Sequence, residues 1–266
     1  MDVKRAKKGL ATPISLSFLL FSFTLLTVTT YYFVMSSVDT KANKVSFAAA
    51  KNAMLSLESS IRAIVWSPGS SAVQHFKDYH GKFEVEPDAR RLIINLTFDS
   101  STYTVFNSSI GLVKYEMPPA DVNQVGWFLR GDKRVIINQS FAGTAQMYIE
   151  NGEDSQELRL GYRPLAVSYQ ESQDGSTVNV VRIYIINLNS SESLWFKGSF
   201  RVKARCLNVT VDSRSYNFSG GVSSVIVRAS VDGDEGTVTL PLSSSDSSTL
   251  VRVEVLVCNI RLEEVE

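Results

Sequence analysis

Hydrophobic and polar residues follow three successive patterns along this chain. Residues 9–38 contain no Asp, Glu, Lys or Arg, a run longer than the roughly 20 residues a helix needs to cross a bilayer. Beyond it, Ala42, Val45, Ala49, Ala53, Leu57, Ile61 and Ile64 recur every three or four residues, with Lys41, Lys44, Lys51 and Glu58 mostly between them. That spacing predicts an amphipathic continuation of one helix. Pro13 suits its first turn, where a missing N–H loses no partner, and Ser67, Pro68 and Gly69 predict its end. The first half, apolar all round, requires lipid or neighbouring helices, while the second presents one face to a globular head.

The third pattern begins near residue 80, where short runs rich in Val, Ile, Thr and Tyr alternate with polar breaks. Residues 92–97 and 103–106 flank Asp99, Ser100 and Ser101 as a predicted hairpin, and 134–137 follow a turn at 130–133. Further strands are predicted at 178–188, 200–211, 224–231, 237–242 and 250–262. Turns containing Asp174 and Gly175, Ser219 to Gly221, and Asp232 to Gly236 separate them. The expected class is α+β: a long N-terminal membrane-spanning helix, then an all-β antiparallel sandwich, immunoglobulin-like in outline. The expected divisions are 1–9, a helix over 10–66, a linker over 67–80, and a β domain over 81–266 with one or two subdomains.

Composition narrows the function. With 44% hydrophobic residues the chain can bury a core, which removes disorder from consideration. Its 27 basic residues equal its 27 acidic ones, so no positive excess draws it to nucleic acid. Charge is uneven locally, however. Lys4, Arg5, Lys7 and Lys8 precede the apolar run against Asp2 alone, which predicts a cytoplasmic N-terminus and everything after the helix outside. An ordinary secretory signal has about 7–15 apolar residues and a small-x-small cleavage site; this run is longer, and Ala48, Ala49 and Ala50 lie beyond several charges.

The passage Lys7, Lys8, Gly9, Leu10, followed by an unbroken apolar helix, resembles the class III signal of archaeal type IV pilins and their relatives. Bacterial type IV pilins carry an acidic residue at the fifth position after the cut, where this chain has Ile14, so the archaeal group is the better match. The resemblance covers the first 30 or so residues. It implies a prepilin-type peptidase that reads Lys7, Lys8 and Gly9 and makes Leu10 the new terminus. It also implies a membrane and other pilin-like subunits as partners, with the helix able to become a filament core. An uncleaved anchor carrying an ectodomain shows much the same pattern. Ser15, Ser17, Ser22, Thr24, Thr27, Thr29 and Thr30 suit close helix packing, and are equally tolerated in an anchor.

The remaining chemistry is sparse. Asn95, Asn107, Asn138, Asn189, Asn208 and Asn217 each stand two residues before Ser or Thr with no proline between, forming glycosylation sequons beyond the apolar run. Chance would supply roughly two or three among the 13 asparagines. Cys206 alternates with Phe200, Val202 and Ala204 toward the interior. Cys258 opposes the face of Val251, Val253, Val255 and Val257 unless a bulge shifts the register. An external location permits a Cys206–Cys258 disulfide, and two buried thiols are the alternative. His75 and His80, five apart in the linker, do not share a helix face. Asp232, Asp234 and Glu235 could offer calcium oxygen ligands, though such residues also make ordinary turns. No phosphate loop, nucleophile elbow or dinucleotide fingerprint occurs. The expected function is therefore a structural or adhesive surface subunit without cofactor, or else a non-polymerising anchored binding domain, and not an enzyme.

Overall fold

A computed structural model describes residues 6–99, 101–119, 125–152, 155–173, 176–219, 221–243 and 249–265, with the side chains of 6–13, 173 and 176 left aside. Residues 2, 4 and 5 of the basic leader, the turn at 174 and 175, Gly220 and most of the Ser-rich loop before Thr249 lie outside the described residues. The chain forms one long apolar N-terminal helix followed by a mostly β domain. Contacts divide it into two compact units, residues 1–46 and 47–266.

Helix α1 runs Ala6–Ile64. It starts two turns before Pro13, because Ala6, Lys7, Lys8, Leu10 and Ala11 are strong helix formers. From Ile14 to Val38 the described side chains are exposed. In the second unit the helix buries Phe47, Ala50, Ala53, Met54, Leu57, Ile61 and Ile64. The predicted stripe is therefore rotated at its start: Val45 is exposed and Phe47 begins the buried face. The stripe also takes in Glu58, which the sequence pattern places on the polar side. The helix ends earlier than Ser67 because Trp66 adopts the left-handed conformation (φ 67°) that usually falls to glycine after a helix.

Among the described residues the head contains thirteen strands: β1 (Ser71–Phe76), β2 (Lys82–Phe98), β3 (Ser101–Met117), β4 (Phe128–Arg130), β5 (Ala145–Asn151), β6 (Gln156–Tyr162), β7 (Leu165–Gln173), β8 (Ser176–Asn187), β9 (Leu194–Lys197), β10 (Phe200–Phe218), β11 (Ser224–Val231), β12 (Asp234–Pro241) and β13 (Thr249–Glu264). One sheet has the order β1-β10-β13-β8-β7; the other runs β12-β11-β2-β3-β6-β5-β4, with β9 also paired to β2. Both sheets curl into half-barrels, and the immunoglobulin-like outline expected from sequence is not what they form. Nor is the pairing wholly antiparallel, since β13 and β8 run parallel. The expected linker also contains a strand: β1 pairs with β10, setting His75 opposite Arg201.

Two cores explain the long strands. Around the helix, Phe83 and Val85 of β2 join Leu158 and Leu160 of β6 and Cys258, Ile260 and Leu262 of β13. The second core takes Leu92, Ile94 and Leu96 from the other end of β2 and Val251, Val253 and Val255 from the other end of β13. Inward positions thus change from odd to even along both strands. A strict two-residue alternation cannot do this, so the ladder must slip. It does so between Glu86 and Arg90 in β2, and between Cys206 and Asn208 in β10 opposite the switch in β13. Each fully buried Leu, Ile, Phe or Met in these cores contributes about 1.5–3 kcal/mol.

The predicted strand at 134–137 is the clearest departure. Val135, Ile136 and Ile137 are buried, but the segment is a loop with one isolated bridge, from Ile137 to Leu165. Ile137 bonds through its backbone to Pro164 and Ala166, while side chains hold the carbonyls of Asp132 and Arg134 just ahead of it. Arg163 donates from Nη1 to the carbonyls of Asp132 (3.2 Å) and Arg134 (2.8 Å) and from Nε to that of Gly143 (2.8 Å). Gln146 Nε2 donates to the first two of these carbonyls at 2.8 and 3.0 Å. Only Ile137 therefore meets a strand, through the single bridge to Leu165.

Candidate functional site

Among the described residues the one buried carboxylate, Glu58, lies near the C-terminal end of α1. Glu58 is 1% exposed and faces two guanidinium groups, with Oε1 3.5 Å from Arg62 Nε and Oε2 3.7 Å from Arg130 Nε. Arg62 lies one turn further along the helix, and Arg130 comes from the edge strand β4. Oε2 has no hydrogen-bond partner, and neither does the buried hydroxyl of Tyr162. Burial raises the Tyr162 pKa well above its ordinary value, with the Glu58 charge adding to the effect. Because both arginines are nearly half exposed, water shares in compensating them while the carboxylate stays enclosed.

Beside this cluster lies the cysteine pair. The slip between Cys206 and Asn208 sets Val209 opposite Cys258 and turns both sulfurs inward. They stand 3.5 Å apart as two buried thiols. The Trp66 N–H at the helix end points to Cys258 Sγ at 3.5 Å. Burial pushes the Cys258 thiol up to about 12. Trp66 also makes edge contacts with Phe141 and Tyr184, at 6.0 and 5.3 Å between ring centres. The bulge foreseen as an exception is thus what brings the two cysteines together.

None of the six sequon asparagines is buried. Asn107, Asn138, Asn208 and Asn217 are exposed, and Asn95 and Asn189 half-buried. Three also accept hydrogen bonds through Oδ1: Asn95 from Thr104, Asn107 from Arg91 and Asn208 from Asn259.

The acidic turn does not form a cation site. Asp232 and Gly233, both with positive φ (51° and 98°), make a two-residue connection between β11 and β12. Asp232 Oδ1 accepts from the Arg91 N–H at 3.0 Å. Asp234 and Glu235 already belong to β12, where successive side chains point to opposite faces. Among the described residues no group of three His, Cys, Asp or Glu side chains is arranged to hold a metal. The histidines are separated as well: His75 lies in β1, whereas His80 sits in a turn with φ 61° and donates its N–H to Asp78 Oδ1. Lys7, Lys8, Gly9 and Leu10 have helical backbone in the first turns of α1.

Sequence reasoning missed Glu58, Tyr162 and Arg163. Glu58 offers a signal, since it stands one position after Leu57 on the buried stripe, whereas Tyr162 ends, and Arg163 follows, the strand 156–162, which is not among the strands expected from sequence.

The helix is long and apolar enough to span a membrane, judged by length and composition. Three of its threonines satisfy their own hydroxyls: Thr24, Thr27 and Thr29 donate to the carbonyls of Leu20, Phe23 and Leu25 at 3.1, 2.8 and 2.9 Å. Comparison with protein-family models, with curated proteins and with solved structures gave no match to this chain.

Proposed function

We propose that this protein is a pilin-like structural or adhesive subunit of a cell surface, with the apolar half of α1 in the membrane or a filament core and a glycosylated β head outside. The observation that carries the reading is the contrast within α1. Its apolar stretch is exposed, while Phe47 to Ile64 supply a wall of the head's core. Exposed Leu and Phe on every side of a helix call for lipid or other helices in place of water. The hydroxyls of Thr24, Thr27 and Thr29, bonded back to helix carbonyls, are satisfied without water in such surroundings. The pilin-like part rests on Lys7, Lys8, Gly9 and Leu10 ahead of the apolar run, and the glycosylated part on six sequons with accessible asparagines.

Mass spectrometry of the mature N-terminus, from cells that make the protein, tests this. The expected peptide begins at Leu10, and electron microscopy of surface filaments with and without the gene follows. A chain that keeps Lys4 to Lys8 sinks the pilin-like reading and leaves a non-polymerising anchored domain. A start near residue 40 overturns both.

A further inference from the structure

A cleft of about 720 Å³ separates the loop after β4 from the edge strand β12. Residues 133–136 and Asn138 line one side of it and 234–239 the other. Successive side chains of a strand point to opposite faces, so a wall made of consecutive residues is a backbone edge. β12 is the last strand of its sheet, paired with β11 from Asp234 to Pro241 and with no strand on its other side among the described residues. The loop closes on it at Gly236, where a Cβ would lie 3.1 Å from Val135 Cβ. Past that contact, Thr237, Val238 and Thr239 present a stretch of open ladder to the cleft.

An open edge of this kind invites another strand, and proteins commonly cover it with something else. Lys133 and Arg134 on one wall offset Asp234 and Glu235 on the other, so the cleft selects no net charge. The exposed threonine hydroxyls and the edge backbone offer donors and acceptors together, which suits a hydroxyl-rich occupant. Asn138 stands in the same wall. Of the six sequon asparagines, Asn95, Asn107, Asn208 and Asn217 lie in strands, and Asn189 is half-buried with its N–H held by Asn187. Asn138 is exposed in a loop, the usual setting of an acceptor, and its side chain makes no hydrogen bond among the described residues. A sugar chain tethered there meets the cleft at high effective concentration. The volume falls within the roughly 300–1,000 Å³ of small-molecule sites, which leaves room for the first few rings.

We propose that Asn138 carries an N-linked sugar chain whose first rings lie in this cleft and cap the edge of β12. In the transfer, Asn138 Nδ2 bonds to the anomeric carbon of a lipid-linked sugar phosphate. The bond from that carbon to the phosphate oxygen breaks, the lipid phosphate leaves with the electron pair, and one Nδ2 proton passes to a base of the transferase. Sugar hydroxyls then donate to Asp234 and the edge carbonyls and accept from Lys133 and the edge N–H groups. The proposal rests on the reading of the head as glycosylated, and adds which site is used and what the sugar covers.

Glycopeptide mass spectrometry and amide hydrogen exchange test it, on the full chain purified in detergent micelles from cells that make the protein. Sugar is expected on Asn138, with exchange at residues 237–239 quickening roughly two- to tenfold in Asn138→Gln. This substitution alters an exposed side chain, and unchanged exchange in β5 and β6 checks that the fold is kept. In the double variant Thr237→Val, Thr239→Val the sugar stays on Asn138 and part of the protection is lost. Sugar on Asn138 with unaltered exchange at 237–239 in Asn138→Gln would send it into solvent and overturn the proposal. Sugar at other sequons and none on Asn138 would overturn it and leave the head glycosylated, whereas sugar at none of the six would overturn that reading as well. Protection that persists in Asn138→Gln and fades on dilution would overturn it in favour of a strand from a second chain.

Discussion

Leu25 and Leu57 are the same residue type in the same helix, yet Leu25 is 56% exposed and Leu57 fully buried. Around Leu57 the half-barrel supplies Phe83, Leu158 and Leu160 as neighbours within one core. Around Leu25 the described protein supplies nothing but the helix. Local composition makes both stretches helical, but what covers each is a matter of partner: protein for one and, on the proposed function, lipid or another helix for the other. The two halves of α1 should therefore respond to the same substitution in opposite ways.

The largest contrast is expected from aspartate. Leu57→Asp places an unpaired carboxylate in the core and should cost more than about 4 kcal/mol, abolishing the cooperative thermal unfolding of the head seen by circular dichroism. Leu25→Asp should leave that transition in place and release the protein from membranes in a flotation assay, at about 3 kcal/mol for an acid at a helix centre. Equal effects on head stability would break the division. Next in size is Glu58. Glu58→Ala should destabilise the head by about 2 kcal/mol and Glu58→Gln by about 1, as measured by urea unfolding, because the arginines left behind can rehydrate.

A chemical version of the comparison uses the thiols. With its pKa near 12 and its sulfur buried, Cys258 should react with iodoacetamide at pH 8 about a thousandfold more slowly than in urea-unfolded chain. Mass spectrometry of the alkylated peptide reads this directly. The smallest effect concerns Asp132, whose carboxyl Arg134 and Arg163 hold well below the usual carboxylate range. A depressed folded pKa gives stability that is complete above the unfolded value of about 3.9 and lost as pH falls toward the folded one. Asp132→Asn should therefore lower stability slightly at neutrality and leave it unchanged at the acid end, which flattens the acid limb of the profile below about pH 4. Solvent exposure of this carboxylate keeps the effect small.

Local signals proved readable where one element decides its own surroundings. The hairpin from 92–97 to 103–106 lies within β2 and β3, and β11 has the expected bounds, because alternation and turn residues act over a few positions. What sequence could not show depends on distant partners. Val135 to Ile137 have strand composition, but Arg163 and Gln146, well along the sequence, fix the chain just before them at Asp132 and Arg134, and only Ile137 reaches a strand. Cys258 reads as outward from the valines before it, and only the slip in β10 reverses it. Glu58 reads as polar surface until Arg62 and Arg130 are seen to meet it in the interior. The candidate site was therefore less legible than the fold around it.

The place of β13 has a consequence for how the head is made. This strand lies inside its sheet, between β10 and β8, and about seventy residues separate it from its parallel partner. A ribosome delivers β8 and β10 well before it, so both wait with open edges while synthesis continues. Any nascent head is exposed to β-aggregation during that interval, and closure is slow because its pairings are long-range. Polar Asn208, Thr210, Asp212 and Ser213 along the waiting β10 would guard that edge until β13 arrives.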